Sequence, residues 1–149
     1  MNDAKTALGE KILRRKREKG LNWTQIGAAI GHAPVFSAAA CLGQMSLEPE
    51  AAGKLGALLE LSADDEVLLQ VIPYRGALPT AIPSDPLIYR FYELVSVYGT
   101  AWKELIQEEF GAGIMSAIDF EMTLEREPNP KGDRVRMVLS GKFLPYKRY

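Results

Sequence analysis

Arg90, Glu93 and Ser116 are the residues of this 149-residue chain whose types and setting suit chemistry. Arg90 and Glu93 lie in Pro83-Ser-Asp-Pro-Leu-Ile-Tyr-Arg-Phe-Tyr-Glu93. Ser116 lies in Phe110-Gly-Ala-Gly-Ile-Met-Ser-Ala-Ile-Asp-Phe120. A guanidinium, a carboxylate and a hydroxyl among apolar and aromatic neighbours suit small anions better than metals or large substrates. No Cys/His/Asp set with metal-ligand spacing accompanies them, and no histidine is close in sequence.

Each residue also has a plainer reading. Arg90 and Glu93 are three apart on a helix, which by itself suits an ordinary ion pair worth a few tenths of a kcal/mol. The flanks weaken that reading. Leu87, Ile88, Tyr89, Phe91, Tyr92, Leu94, Val95 and Tyr98 make the helix apolar nearly all round, so it is expected to be buried. A buried guanidinium must be paired or hold an anion. Ser116 follows Gly111-Ala-Gly113 and, taken alone, reads as a turn or strand-start serine with no His-Asp pair to activate it. The Gly-Ala-Gly lacks the following Lys-Ser/Thr of a phosphate loop. His32 reads as structural or solvent-exposed, and Cys41, in an alanine-rich helix, as core.

The elements that must position these residues fall into two groups. Helices are expected over 3–19, from an Asn22 cap to Gly31, from Pro34 to about Gly43, from Glu48 to Leu61, and from a capping start at Ser62. Val71 to Pro86 carries Pro73, Pro79, Pro83 and Pro86 and reads as a linker or extended arm. Asp85-Pro86 opens a helix to about Tyr98. Gly99-Thr100 is expected to interrupt it before a second helix ending at Gly111. From Ser116 the period becomes two. Ile118, Phe120, Met122 and Leu124 alternate with polar residues, and Val135, Met137 and Leu139 resume the pattern, as in a β-hairpin. A lone hairpin is marginal in water, so its apolar face calls for another subunit. The expected fold class is α+β. A repressor-like helical bundle (1–75) and a linker (76–86) precede a small α/β-hairpin domain (87–149) that interlocks between subunits.

Composition narrows the function. The chain is 47% hydrophobic and 25% charged, which reads as globular. Its formal net charge of −1 leaves no global nucleic-acid footprint. A single cysteine excludes an intramolecular disulfide and favours a reducing compartment. The start is not a secretory signal, and no apolar run is long enough to span a bilayer, so a cytoplasmic protein without a membrane partner is expected. Thr24 to Gly31 followed by a short helix looks like a helix-turn-helix. The helix after the turn, Pro34-Val-Phe-Ser-Ala-Ala-Ala-Cys-Leu-Gly43, lacks the Arg, Lys, Asn or Gln that read base edges. The module is therefore expected to serve packing or assembly, without a nucleic-acid partner. Lys11, Arg14, Arg15, Lys16, Arg17 and Lys19 read as a solvated face, with an anionic partner as the alternative.

The chain resembles the cyanase (cyanate hydratase) family over nearly its full length. The likeness is strongest over Leu69–Gly76, Ile82–Glu93, Val97–Thr100, Phe110–Phe120 and Gly141–Pro145. It implies bicarbonate-dependent breakdown of cyanate to carbon dioxide and ammonia through carbamate. It also implies a homodecamer of five dimers with active sites between subunits, and the catalytic residues Arg90, Glu93 and Ser116. Cyanate and bicarbonate are then the small-anion partners, bicarbonate being a co-substrate, and no metal or organic cofactor is expected. The chain departs from the family pattern at Ala77, where a cysteine is frequent, and at Gln107, where a histidine is. Two rival readings are a non-catalytic repressor-like regulator and a small-molecule-binding scaffold. Neither accounts for the two C-terminal motifs.

Overall fold

The computed structural model describes residues 3–149. Five helices come first: α1 (Asp3–Glu18), α2 (Trp23–Ile30), α3 (Pro34–Cys41), α4 (Pro49–Leu59) and α5 (Ala63–Gln70). A long α6 (Pro86–Phe110) and two strands, β1 (Gly113–Glu127) and β2 (Arg134–Pro145), follow. The strands pair as one two-stranded hairpin. The fold class is α+β, as expected. The chain groups into two compact units. One holds α1–α5 with Thr123–Val138, and the other holds Leu78–Met122 with Leu139–Tyr149.

Local signals explain the helical unit. The Asn22 side chain accepts from the Gln25 amide while Gln25 reaches back to the Asn22 amide, satisfying two orphan donors at once. Gly31 closes α2 in the left-handed conformation that favours glycine. Ser62 and Asp65 form the same reciprocal cap on α5. Leu8, Ile12, Ile26, Ile30, Leu55 and Leu59 make the centre of the core. Of the apolar residues on α5, Leu69 is buried while Val67 is exposed. Helices α1, α3 and α4 end one or two residues before the expected stops, since the final turn belongs to the cap.

Ser37, His32 and Cys41 of this unit are engaged in local packing and hydrogen bonding. Ser37, the polar residue of α3, is fully buried and donates to the Ala33 carbonyl at 2.9 Å. Its hydroxyl is therefore satisfied within its own helix. His32 Nε2 lies 2.7 Å from Glu48 Oε1, and its ring centre lies 4.6 Å from that of Phe36, the two planes tilted by 37°. Cys41 is buried, and burial pushes its thiol up to about 12, so it stays protonated and inert.

One long-range pair ties α1 to α5. Lys11 bonds the Asp65 carboxylate. Burial raises the Asp65 pKa, but the bonds from Lys11 and Ser62 outweigh it and hold the carboxyl below its ordinary value. The folded pKa is thus depressed. Its stabilising effect is present above the unfolded value of about 3.9 and is lost as pH falls through the folded one. Replacing Lys11 with Met is expected to cost about 0.5–1 kcal/mol near neutral pH and progressively less in acid. Urea unfolding of both proteins at about pH 7 and about pH 2 checks this. An equal loss at both pH values would assign the effect to packing instead.

In the C-terminal half of the chain the structure corrects the sequence in three places. Helix α6 is continuous for 25 residues, through Gly99 and Thr100. A single interior glycine costs about 1 kcal/mol relative to alanine, too little to break a helix with apolar turns on both sides. Asp85 caps its start, accepting from the Leu87 and Ile88 amides at 2.9 Å each. The second correction concerns burial. No α6 residue is buried within one chain, and Leu87, Phe91, Val95 and Tyr98 are all exposed. A helix apolar nearly all round needs cover that a single two-stranded hairpin is too small to supply. The hairpin is also longer than the alternation indicated. β1 runs from Gly113 to Glu127, Arg136 pairs with Glu125 across the strands, and Arg126 pairs with Asp133 at the turn.

Candidate active site

Asp85-Pro86 sets the register of α6, and that register puts Arg90 and Glu93 on one face in its second turn. Arg90 Nη1 lies 3.4 Å from Glu93 Oε2, a long contact. The Arg90 side chain is 63% exposed and the Glu93 side chain 51% exposed. The guanidinium carbon stands 5.8 Å from the Tyr89 ring centre. An arginine carries five N–H donors in a planar fork. With one long contact to Glu93, most of that fork is open.

Ser116 is different. It is buried, on β1, at 5% exposure. Its Oγ accepts from the Ile118 amide at 3.1 Å and from the Asp119 amide at 2.9 Å. A hydroxyl has two acceptor lone pairs and one proton. Both acceptor positions are taken, so the proton is the part left to bond a ligand. A serine held this way is a hydrogen-bond donor and a poor nucleophile, since the lone pair that would attack is already engaged.

The structure brings Arg90 and Glu93 together. Among the described residues, no hydrogen bond or ion pair joins Ser116 to either of them within one chain. The groove between α6 and the start of the hairpin, lined by Trp102, Lys103, Gln107, Gly113, Met115 and Tyr146, holds none of the three. Three neighbouring groups had no functional reading in the sequence. Tyr89 flanks the guanidinium, which its adjacency to Arg90 could have signalled. The amides of Ile118 and Asp119 have no side-chain signature at all. Among the described residues there is no group of three or more His, Cys, Asp or Glu placed to hold a metal ion. No described helix is long and apolar enough to cross a membrane.

Comparison with known proteins covers both halves of the chain. The N-terminal domain model of cyanate hydratase matches residues 5–73, and the cyanate lyase C-terminal domain model matches residues 80–148. The cyanate hydratase of Methylibium petroleiphilum is 61% identical over 140 residues, covering 94% of this chain and 95% of that one. The chain belongs to the cyanate hydratase family. The cyanate hydratase of Thiobacillus denitrificans is 62% identical over 138 residues, covering 93% of this chain and 94% of its own length. Among solved structures, cyanase from T. urticae superposes with a TM-score of 0.83 at 36% identity, covering 93% of this chain and 96% of that one. Membership in the cyanate hydratase family makes the chain an enzyme of the lyase class, so the regulator reading gives way.

Proposed function

We propose that this chain catalyses the bicarbonate-dependent decomposition of cyanate to ammonia and carbon dioxide, with Arg90, Glu93 and Ser116 as its working residues. The observation that carries this assignment is the open guanidinium of Arg90, held on an exposed helix by one long contact to Glu93. Cyanate and bicarbonate are both monoanions. At about 4 Å and an effective dielectric of about 20 they repel by roughly 4 kcal/mol. A planar, permanently charged fork offsets that repulsion and orients carboxylate-like oxygens.

In this mechanism a bicarbonate oxygen attacks the cyanate carbon. The bicarbonate proton and one further proton end on nitrogen. The bond from the bridging oxygen to the bicarbonate carbon then breaks, releasing carbon dioxide and leaving carbamate. Carbamate takes another proton and falls apart to ammonia and a second carbon dioxide. Ser116 donates a hydrogen bond to an anionic oxygen or nitrogen of the adduct, and Glu93 orients Arg90. Because bicarbonate is itself the nucleophile, the protein chiefly positions two small reactants. Effective molarities of about 10⁵ M and above show how far positioning alone reaches. No metal or organic cofactor has a part in this scheme.

One guanidinium per chain is few for two anions, and α6 is apolar and uncovered. Both points support a site completed by other copies of the chain, in a homodecamer of five dimers. Residues 87–149 would form the catalytic and dimerisation domain, residues 76–86 the linker and residues 1–75 the helical domain. The working place is the cytoplasm.

Purified protein is expected to release ammonia from cyanate when bicarbonate is supplied and to stop when bicarbonate is removed. Sedimentation should give the mass of ten chains. A folded, assembled protein that releases no ammonia under either condition would overturn the assignment.

A further inference from the structure

Ser116 can work as a donor only if its hydroxyl is held at a fixed depth in β1. On the paired strand, Gly141 lies directly against the Ser116 backbone. A Cβ added at Gly141 would stand 2.4 Å from the Ser116 carbonyl oxygen, 2.6 Å from Met115 Cγ and 3.2 Å from Met115 Sδ. Real Cβ atoms essentially never come within 3.0 Å of such neighbours. Met115 is a flexible side chain and can swing aside. The Ser116 carbonyl is backbone and cannot move without taking its peptide with it. That peptide leads into the two amides, at Ile118 and Asp119, that hold the hydroxyl at 3.1 and 2.9 Å.

We infer that Gly141 is a positioning residue for Ser116: by lacking a side chain it lets β2 close on β1 and sets where the Ser116 hydroxyl points. The inference rests on the reading of Ser116 as the donor of the reaction. A side chain at position 141 pushes the serine peptide away, and the hydroxyl either moves with it or leaves its two amides. Displacements of about 1 Å in catalytic groups can cost on the order of 100-fold in rate.

A double-mutant cycle on the full-length assembled protein tests this, using cyanate, bicarbonate and ammonia release. Gly141→Ala is expected to lower kcat about 10- to 100-fold with a smaller change in KM for either anion. In a Ser116→Ala background the same substitution should cost less than about twofold, because the group it acts through is gone. Met115→Ala added to Gly141→Ala should not restore activity, since it relieves the side-chain contact and leaves the carbonyl contact. A Gly141→Ala loss that persists in full in the Ser116→Ala background would overturn the inference, as would rescue by Met115→Ala or parental activity of Gly141→Ala. Failure of both Gly141→Ala and the Met115→Ala/Gly141→Ala protein to assemble would also overturn it, by showing that the contact serves the hairpin rather than the serine. Parental activity of Ser116→Ala alone would instead remove the serine from the reaction, a separate outcome read from a different protein.

Discussion

Replacing Arg90 with lysine is expected to lower kcat/KM for cyanate breakdown by about 100-fold or more while leaving assembly and thermal stability unchanged. Lysine keeps the charge but presents it as a point on a flexible stem, without the planar fork that engages two oxygens at once. If the role of Arg90 were simple charge, the variant would work nearly as well as the parent. Stability should not follow activity. The Arg90 side chain is 63% exposed within a chain, and its contact to Glu93 is long. Such pairs contribute a few tenths of a kcal/mol at most. Steady-state kinetics in both anions, with sedimentation of the same samples, check the prediction. Near-parental turnover would end the anion-clamp role of Arg90.

Removing the Ser116 hydroxyl should have two consequences, one on rate and one on stability. Ser116→Ala deletes the hydrogen bond donated to the adduct, and loss of one preorganised donor costs about 100- to 1,000-fold in kcat. It also removes the oxygen that accepts from the Ile118 and Asp119 amides. A net hydrogen bond is worth about 0.5–1.5 kcal/mol, so the melting temperature should fall by a few degrees. Rates measured well below the new midpoint separate the two effects. Intact-mass measurement during turnover supplies a second check. A donor serine gains no covalent mass, and an adduct trapped on Ser116 would show that the hydroxyl attacks after all.

These predictions differ in how far the sequence alone could have carried them. The Arg90–Glu93 pair was legible because both residues lie within one helical turn of each other and downstream of a strong start signal at Asp85-Pro86. The clamp on Ser116 was not legible, since backbone amides supply it and every residue has an amide. Gly141 was visible as a glycine within a strand, but only the pairing of β2 with β1 shows that its missing side chain lies against the Ser116 carbonyl.

The sequence by itself determined what short-range chemistry controls. The caps at Asn22 and Ser62, the stop at Gly31 and the switch to a period of two after Ser116 each depend on residues a few positions apart, and they formed as the side chains dictate. The strings around Arg90 and Ser116 likewise carried the family likeness. Tertiary structure decided what depends on distant partners. It joined Lys11 to Asp65 across more than fifty residues, and it ran α6 straight through Gly99, because one glycine costs less than the flanking turns of helix contribute. It also left the apolar faces of α6 open within one chain. Hydrophobicity states that a surface is to be covered, but it is non-directional and does not name the surface that covers it.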